Sequence, residues 1–307
     1  MKAPLKYAIK AKQMGKKSIS YSQVAAYSTC PRKWKLQKID KINLHEPGIP
    51  LVFGTAMHET LQKYLEVMYT ETIVAANKLD LPALLKKYMF EAFLDSGKPE
   101  EVSKFISQAD MESFYTDGLA ILEYFVKHRA EYFDKKHMEL VGIEMPIFLE
   151  TEYNSNIMFN GFIDLVIKDG DKIKIIDIKT SYMGWKAKKK KAEGMQLRLY
   201  KKFFSEQYGT DIKDIEIEYF IIKRKIWEGG DFPVKRVQVF KPASGKPSIN
   251  KADKVLKEFI ETAFLPDGNF NLEADFPAYK DDCSYCPYKM RAEHCPPHKR
   301  SFRNATK

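Results

Sequence analysis

Gly161-Phe-Ile-Asp164-Leu-Val-Ile-Lys168-Asp-Gly170-Asp-Lys-Ile-Lys-Ile-Ile-Asp177-Ile-Lys179-Thr180 is the stretch whose reading decides the fold. Two runs rich in Ile, Val and Phe flank Asp169-Gly170, a strong short-range signal for a tight β-turn. Side chains alternate faces along a strand. Phe162, Asp164 and Val166 therefore share one face of the first strand, and Ile173, Ile175, Asp177 and Lys179 one face of the second. A two-residue turn at Asp169-Gly170 pairs Lys168 with Asp171, Asp164 with Ile175 and Phe162 with Asp177. The two aspartates then lie on one face as diagonal neighbours, roughly 7–8 Å apart at their backbones. Carboxylates at that separation can close on one divalent cation, and Lys179 projects beside them. A three-residue turn would reverse the parity and put the acids on opposite faces.

Two acids and a lysine on an otherwise apolar sheet face are strongly disfavoured unless something offsets them. A lone Asp-x-Lys reads first as a structural ion pair near a strand end. Here the upstream acid, the turn parity and the helix that follows agree on a metal site instead.

With 307 residues the chain can bury a sizeable core, and its apolar and aromatic content argues against global disorder. A net charge of +10 and a pI of about 9.1 favour polyanionic partners, nucleic acid above all, or an anionic membrane surface, and charge alone leaves a merely solvated basic surface open. No run approaches the length of a membrane span, and Met1–Lys17 is basic without the apolar core of a signal peptide. The expected compartment is reducing: the cytoplasm of a bacterial, archaeal or phage-infected cell. The sequence has no Gly-x-x-x-x-Gly-Lys-Ser/Thr loop, so this chain encodes no ATP-driven motor.

Residues 1–17 read as a flexible basic arm. Ser18–Tyr27 supplies helix caps and a short helix, and Cys30-Pro31-Arg32-Lys-Trp34 follows with a basic-aromatic face. Gly54–Glu59 opens a long helix in which Met57, Leu61, Leu65 and Met68 recur at core spacing. His58 flanks that face, where a histidine is more often a satisfied core residue than a ligand. Further helices are expected over Leu81–Leu94 and about Val102–Phe133, with Met111, Phe114, Tyr115, Leu119, Leu122 and Phe125 inward. From His137 the period becomes strand-like: Glu139–Glu150, then Ile157–Ile167, joined at Asn154–Asn156. After Lys179 come Tyr182, Trp185 and a lysine run that includes Lys188 and Lys189. That run reads as a solvated helix start, or as phosphate contacts beside stacking rings. A helix over Ala192–Tyr208 carries Gln196 and Tyr200 on one face. Strands follow at Ile215–Lys225 and Val234–Phe240, with a turn at Glu228–Asp231 between them, and a last helix at Lys251–Phe264.

Together these pieces resemble the PD-(D/E)XK nuclease superfamily, RecB-like branch. Its pattern is an acid at the end of one strand, then Asp/Glu-x-Lys on the next. Gly161-x-x-Asp164 and Asp177-Ile-Lys179-Thr180 match it. Ser20 through Pro31 is similar to the branch's opening segment, Gly54-x-x-x-His58-x-x-Leu61 to its first motif, and Gln196-x-x-x-Tyr200 to the motif after the lysine. The resemblance implies an α/β, restriction-endonuclease-like core: a central mixed β-sheet flanked by helices. The domain would span 18–307 with a helical insert at about 70–135 and a Cys-rich segment at 281–307. It implies that Asp164, Asp177, the Ile178 carbonyl and His58 hold Mg²⁺ or Mn²⁺, that Lys179 is catalytic, and that Gln196 and Tyr200 position the DNA strand. Glu144 resembles an acid that supports the metal or its water in family members, with a solvent-facing edge residue as the equal alternative.

The four cysteines are grouped for ligation rather than for disulfides: Cys30 upstream, then Cys283-Ser-Tyr-Cys286 and Cys295. One before the core and three after it resembles the iron–sulfur RecB-like nucleases, which implies a [4Fe-4S] cluster. Zinc, with His294 or His298 as a ligand, and free thiols stay open, because Cys286 and Cys295 are nine apart. The expected function is metal-dependent cleavage of DNA, as an exonuclease on single strands or duplex ends in recombination, repair or replication, with a separate helicase as partner. CRISPR-adaptation end trimming and a non-catalytic DNA-binding protein are the alternatives.

Overall fold

The computed structural model describes residues 3–44, 46–227, 229, 234–280, 283 and 286–301. The turn expected at Glu228–Asp231 and much of segment 281–307 lie outside the described residues. In chain order the helices are α1 (Ala3–Gln13), α2 (Tyr21–Thr29), α3 (Pro31–Lys38), α4 (Ile49–Thr70), α5 (Ile73–Asn77), α6 (Leu81–Asp95), α7 (Pro99–Val102), α8 (Gln108–His128), α9 (Ala187–Ala192), α10 (Met195–Tyr208) and α11 (Lys246–Ala263). The sheet strands are β1 (Lys17–Ser20), β2 (Met138–Thr151), β3 (Asn154–Asp169), β4 (Lys172–Ser181), β5 (Ile215–Lys223) and β6 (Val237–Phe240).

The sheet runs β1-β3-β4-β5-β6, with β2 also paired to β3. Pairings are parallel for β1/β3 and β4/β5, and antiparallel for β3/β4 and β5/β6. A parallel β4/β5 pair needs a crossover, and α9 and α10 supply it. The expected mixed sheet flanked by helices is therefore present. The chain divides into two compact units: Met1–His45 with Pro146–Phe162 and Gly245–Lys307, and Glu46–Met145 with Ile163–Ser244.

In the second unit one face of the sheet (Leu165, Ile167, Ile176, Ile178, Phe220, Ile222) joins a core with Met57, Leu61 and Leu65 of α4, Leu85 and Met89 of α6, and Leu122 and Phe125 of α8. Helix α10 packs on β4 and β5, and Ile175, Ile217, Tyr219 and Ile221, of opposite parity, are buried too. Burial on both faces explains the unbroken apolar run Tyr219-Phe-Ile-Ile222.

In the first unit Trp34 is fully buried among rings, with centroids 5.1 Å from Phe259, 5.7 Å from Phe276 and 5.9 Å from Tyr27. The basic-aromatic surface expected around Trp34 is thus corrected: the indole is core, and only the lysines remain outside. From Ala3 on, the expected flexible arm is also corrected: residues 3–17 are structured. They form α1 and start β1, with Ala11 buried and the Tyr7 ring 5.1 Å from Phe148 and 5.5 Å from Phe162. Four residues of β1 are too few for a period-2 pattern to stand out.

Other boundaries moved for local reasons. Helix α4 starts five positions early, at Ile49, because Pro50 in its first turn is preorganised for a helix start. The β2/β3 turn falls at Glu152-Tyr153, and the Asn154 side chain accepts from Asn156 N at 2.9 Å. The helix expected from Ala192 is broken at Gly194, whose φ of +119° no other residue adopts easily. Among the described residues no helix is long and apolar enough to cross a membrane.

Candidate active site

The hairpin turns one residue later than its sequence signals. Asp169 pairs with Lys172, Lys168 with Ile173 and Leu165 with Ile176, so the turn residues are Gly170-Asp171. Gly170 takes a left-handed φ of +59°, as a turn with Gly at its first central position requires. Keeping Asp169 in the strand sets it opposite Lys172 and lets it form an ion pair with Lys174. The expected partners Asp164–Ile175 and Phe162–Asp177 are therefore corrected by two positions. Parity is kept, and continuing the register brings Asp164 across from Asp177.

The ladder stops short of that pair. Asp164 Oδ2 accepts the Ile178 backbone N–H at 2.7 Å, where the sheet would otherwise supply a strand carbonyl. Beyond this point β3 leaves β4 and pairs with β1 through Ile157–Asn160, while β4 stays beside β5 to Ser181. The splay opens the β3/β4 ladder at the level of both carboxyl groups, which sit within their strands.

Asp177 is 2% exposed, and burial pushes its carboxyl up to about 7, against the pull of Lys179 and with a further push from Asp164. Asp164 is raised to about 7 as well, by burial first, with Lys179 opposing and Glu144 adding. Lys179 Nζ stands 2.7 Å from Asp177 Oδ2, an ion-pair distance, yet that buried oxygen has no well-aligned hydrogen bond. Burial pulls the Lys179 ammonium down, but Asp177 and Asp164 more than offset it, so it stays protonated. His58 Nδ1 lies 3.4 Å from Asp164 Oδ2, and burial lowers its imidazole to about 4, which keeps a lone pair available at neutral pH.

Helix α4 delivers a second group that sequence reasoning missed. Gln62, four residues after His58 and 7% exposed, donates from Nε2 to Glu144 Oε1 at 2.7 Å and to the Asp164 carbonyl at 3.1 Å. The signal was an amide four positions from His58 on the flank of a core face. Glu144 has a φ of +49°, a left-handed conformation costly for a non-glycine residue, and it sits within β2. That local twist re-aims the side chain of an otherwise exposed strand residue toward Gln62, as strand irregularities beside active sites do.

Thus His58, Glu144, Asp164, Asp177, Ile178 and Lys179 are brought together. Among the described residues no three His, Cys, Asp or Glu side chains close on one point. Two carboxylates and a main-chain carbonyl are nonetheless the donor set for a hard cation that keeps several waters.

The residues expected to contact DNA are placed unevenly. Tyr182 is 60% exposed and Lys189 is exposed, its ammonium 4.8 Å from the Trp185 ring. Only the backbone of Lys188, in α9, is described. Trp185 is 5% exposed and packs 4.8 Å from the Tyr219 ring, so the expected base-stacking surface at Trp185 is corrected to a core contact. Gln196 Nε2 donates to Tyr200 Oη at 3.4 Å, and Tyr200 is 6% exposed, so only Gln196 is within reach of a ligand.

All four cysteines are free thiols in the first unit, Cys30 and Cys295 buried. Cys30 caps α3, whose Arg32 guanidinium donates to the His294 carbonyl at 2.9 and 3.1 Å. Tyr288 Oη donates to Ile42 O at 2.5 Å. These bonds draw the C-terminal segment onto α3. Burial raises the Cys283 thiol, and Cys286, Cys295 and Cys30 raise it further, with Arg300 opposing. Cys30, Cys286 and Cys295 pack in one cluster, although among the described residues no three sulfurs are drawn in far enough to ligate as a group.

The profile of the PD-(D/E)XK nuclease superfamily matches residues 18–291. Two solved structures are similar at low identity. One, from Eubacterium rectale and described as a candidate exonuclease, has 10% identity, covers 84% of this chain and 83% of its own, and has a TM-score of 0.48. The other, SSO0001, has 12% identity, covers 85% of this chain and 93% of its own, and has a TM-score of 0.29. No curated protein matches the chain.

Proposed function

Because the chain belongs to the PD-(D/E)XK nuclease superfamily, we propose that it is a divalent-cation-dependent DNA nuclease whose site is Asp164, Asp177, Ile178 and Lys179. The observation that carries this reading is the gathering of two carboxyl groups around a single ammonium, with Lys179 Nζ 2.7 Å from Asp177 and His58 Nδ1 3.4 Å from Asp164; burial raises both carboxyl groups. Protein groups alone leave that pair short of positive charge at neutral pH.

Asp164 and Asp177 would hold Mg²⁺ or Mn²⁺ with the Ile178 carbonyl, and the neutral His58 imidazole would add a ligand. The cation supplies positive charge at the scissile phosphate and lowers the pKa of a water. Lys179 orients the attacking water and stabilises charge developing on phosphorus from a position already fixed in the ground state. Gln62 holds Glu144 and the Asp164 backbone in place. Gln196 and Tyr182 meet the backbone and bases of the strand. Exonuclease action on single strands or duplex ends, in recombination, repair or replication, is the mode we favour. Cys30, Cys283, Cys286 and Cys295, one before the core and three after it, support that choice and would hold a [4Fe-4S] cluster as a staple, with zinc as the other metal for the same donors. A helicase would be a separate partner.

End-labelled DNA incubated with Mg²⁺, with and without EDTA, tests the reading. Cleavage should require the cation, and Asp177→Ala should abolish it while DNA binding survives. Undiminished cleavage by Asp177→Ala would remove the assignment.

A further inference from the structure

Strand β4 does not end at Lys179. Thr180 and Ser181 continue it, and Tyr182 follows with its ring 60% exposed. These three residues, with Pro50 and Phe53 of α4, Phe114 of α8 and Arg224 after β5, line a cavity of about 220 Å³. It lies wholly in the second unit. Its walls are rings and aliphatic carbon, with one cation. The Arg224 guanidinium carbon stands 4.0 Å over the Phe114 ring and 5.1 Å from that of Tyr182.

The wall is held firmly. Backbone N–H groups of Arg224 and Lys225 donate to Ser181 O and Tyr182 O, each at 2.8 Å, so the β4/β5 pairing extends to the cavity. Asp117 of α8, nearly buried, forms an ion pair with Arg224 and accepts from Lys225 Nζ at 2.6 Å. That anchor holds the guanidinium over the Phe114 ring. Phe114 in turn meets Phe53 edge to face at 5.4 Å.

We propose that this cavity is the subsite for one unstacked nucleobase of the substrate strand, that of a nucleotide adjoining the bond to be cut. The proposal rests on the nuclease reading above and adds where a base goes. Three features argue for a base. The cavity is continuous with the candidate catalytic strand, since Ser181 lies two residues beyond Lys179, a rise of roughly 7 Å. An exposed tyrosine ring and a fixed guanidinium plane are the surfaces on which unpaired bases stack. Arg224 and Lys225 add positive charge at the mouth, suited to the adjoining phosphate. Stacking recognises any base, so the subsite demands an unpaired nucleotide without reading its sequence. An intact duplex cannot offer one without unpairing.

The test uses single-stranded oligonucleotides with 2-aminopurine at successive positions, bound to the full chain in EDTA so that no cleavage intervenes. We expect stacking to quench the fluorescence at one position. Tyr182→Ala, an exposed residue whose loss spares the core, should abolish that quench and weaken binding about tenfold. Phe114→Leu should reduce the quench at the same position only. Equal quenching at every position, or a quench unchanged in both variants, overturns the subsite. Mg²⁺-dependent cleavage is measured in parallel and decides the nuclease reading alone. A positional quench without cleavage keeps the subsite and removes the hydrolase, while cleavage without a positional quench does the reverse.

Discussion

Where the β3/β4 ladder stops, two carboxyl groups, those of Asp164 and Asp177, lie across from each other. On the N-terminal side of α3 four thiols gather with the C-terminal segment. Both are clusters of potential metal donors, and they are assembled in opposite ways. Register and parity place the acids, so their positions follow from backbone hydrogen bonds that a core on both sheet faces enforces. A helix cap and a coil place the thiols, tied by side chain to carbonyl bonds from Arg32, Tyr288 and Arg300. The acids are unfavourable where they stand and call for a cation. Three of the thiols, Cys30, Cys286 and Cys295, are small groups packed into one apolar cluster. We infer that a cation at the acids serves chemistry, whereas a metal at the thiols serves stability.

Loss of one acid should separate the two regions most widely. Asp164→Asn should lower the cleavage rate by about a thousandfold or more, equivalent to roughly 4 kcal/mol of transition-state stabilisation. Single-turnover cleavage assays measure it, and a loss below tenfold would count against Asp164 as a ligand. Next in size is Gln62→Leu, which frees Glu144 and the Asp164 carbonyl. A residue that orients metal ligands is worth about 10- to 100-fold, and the loss should appear as a raised Mg²⁺ requirement rather than a raised KM for DNA. If only KM for DNA moves, Gln62 contacts substrate instead.

Cys295→Ser probes the other region. It should remove bound metal and lower Tm by roughly 5 °C or more, while cleavage by the folded protein changes less than about threefold. Metal analysis, a melting curve and one cleavage assay suffice. A folded variant as inactive as Asp164→Asn would erase the distinction drawn here.

The smallest effect is a pH trend. Asp164 and Asp177 titrate near 7 in the folded chain but at 3.8 ordinarily, so the folded state binds more protons than the unfolded one between those values. Stability without cation should fall as pH rises from about 4 to about 7 on their account. His58, lowered from 6.5 to about 4, opposes this over its own window, one group against two. Added Mg²⁺ should therefore raise Tm more at pH 8 than at pH 5. Equal shifts at both would mean that the acids do not titrate as a pair.

The hairpin, the shared face of Asp164, Asp177 and Lys179, and the helices at either side were legible because period and parity are local properties. Residues whose role depends on distant partners were not. Trp185 beside a lysine run looks like a surface ring, yet Tyr219 and Phe240 on neighbouring strands bury it. Gln62 gains meaning only from Glu144, on the other side of the helical segment. The left-handed backbone of Glu144 carries no composition signal, since glutamate is not a residue that seeks it. The turn moved by one residue, leaving Asp169 in the strand with its carboxylate on Lys174, a partner that the Asp-Gly pair does not reveal.

Crystals soaked in Mn²⁺ and measured at its absorption edge test the central claim most directly. The account predicts one anomalous peak bound by Asp164 and Asp177 oxygens at about 2.1 to 2.2 Å, absent from Asp177→Asn crystals. A hairpin that leaves both carboxylates bare in saturating Mn²⁺, or that binds the ion equally well without Asp177, would contradict it.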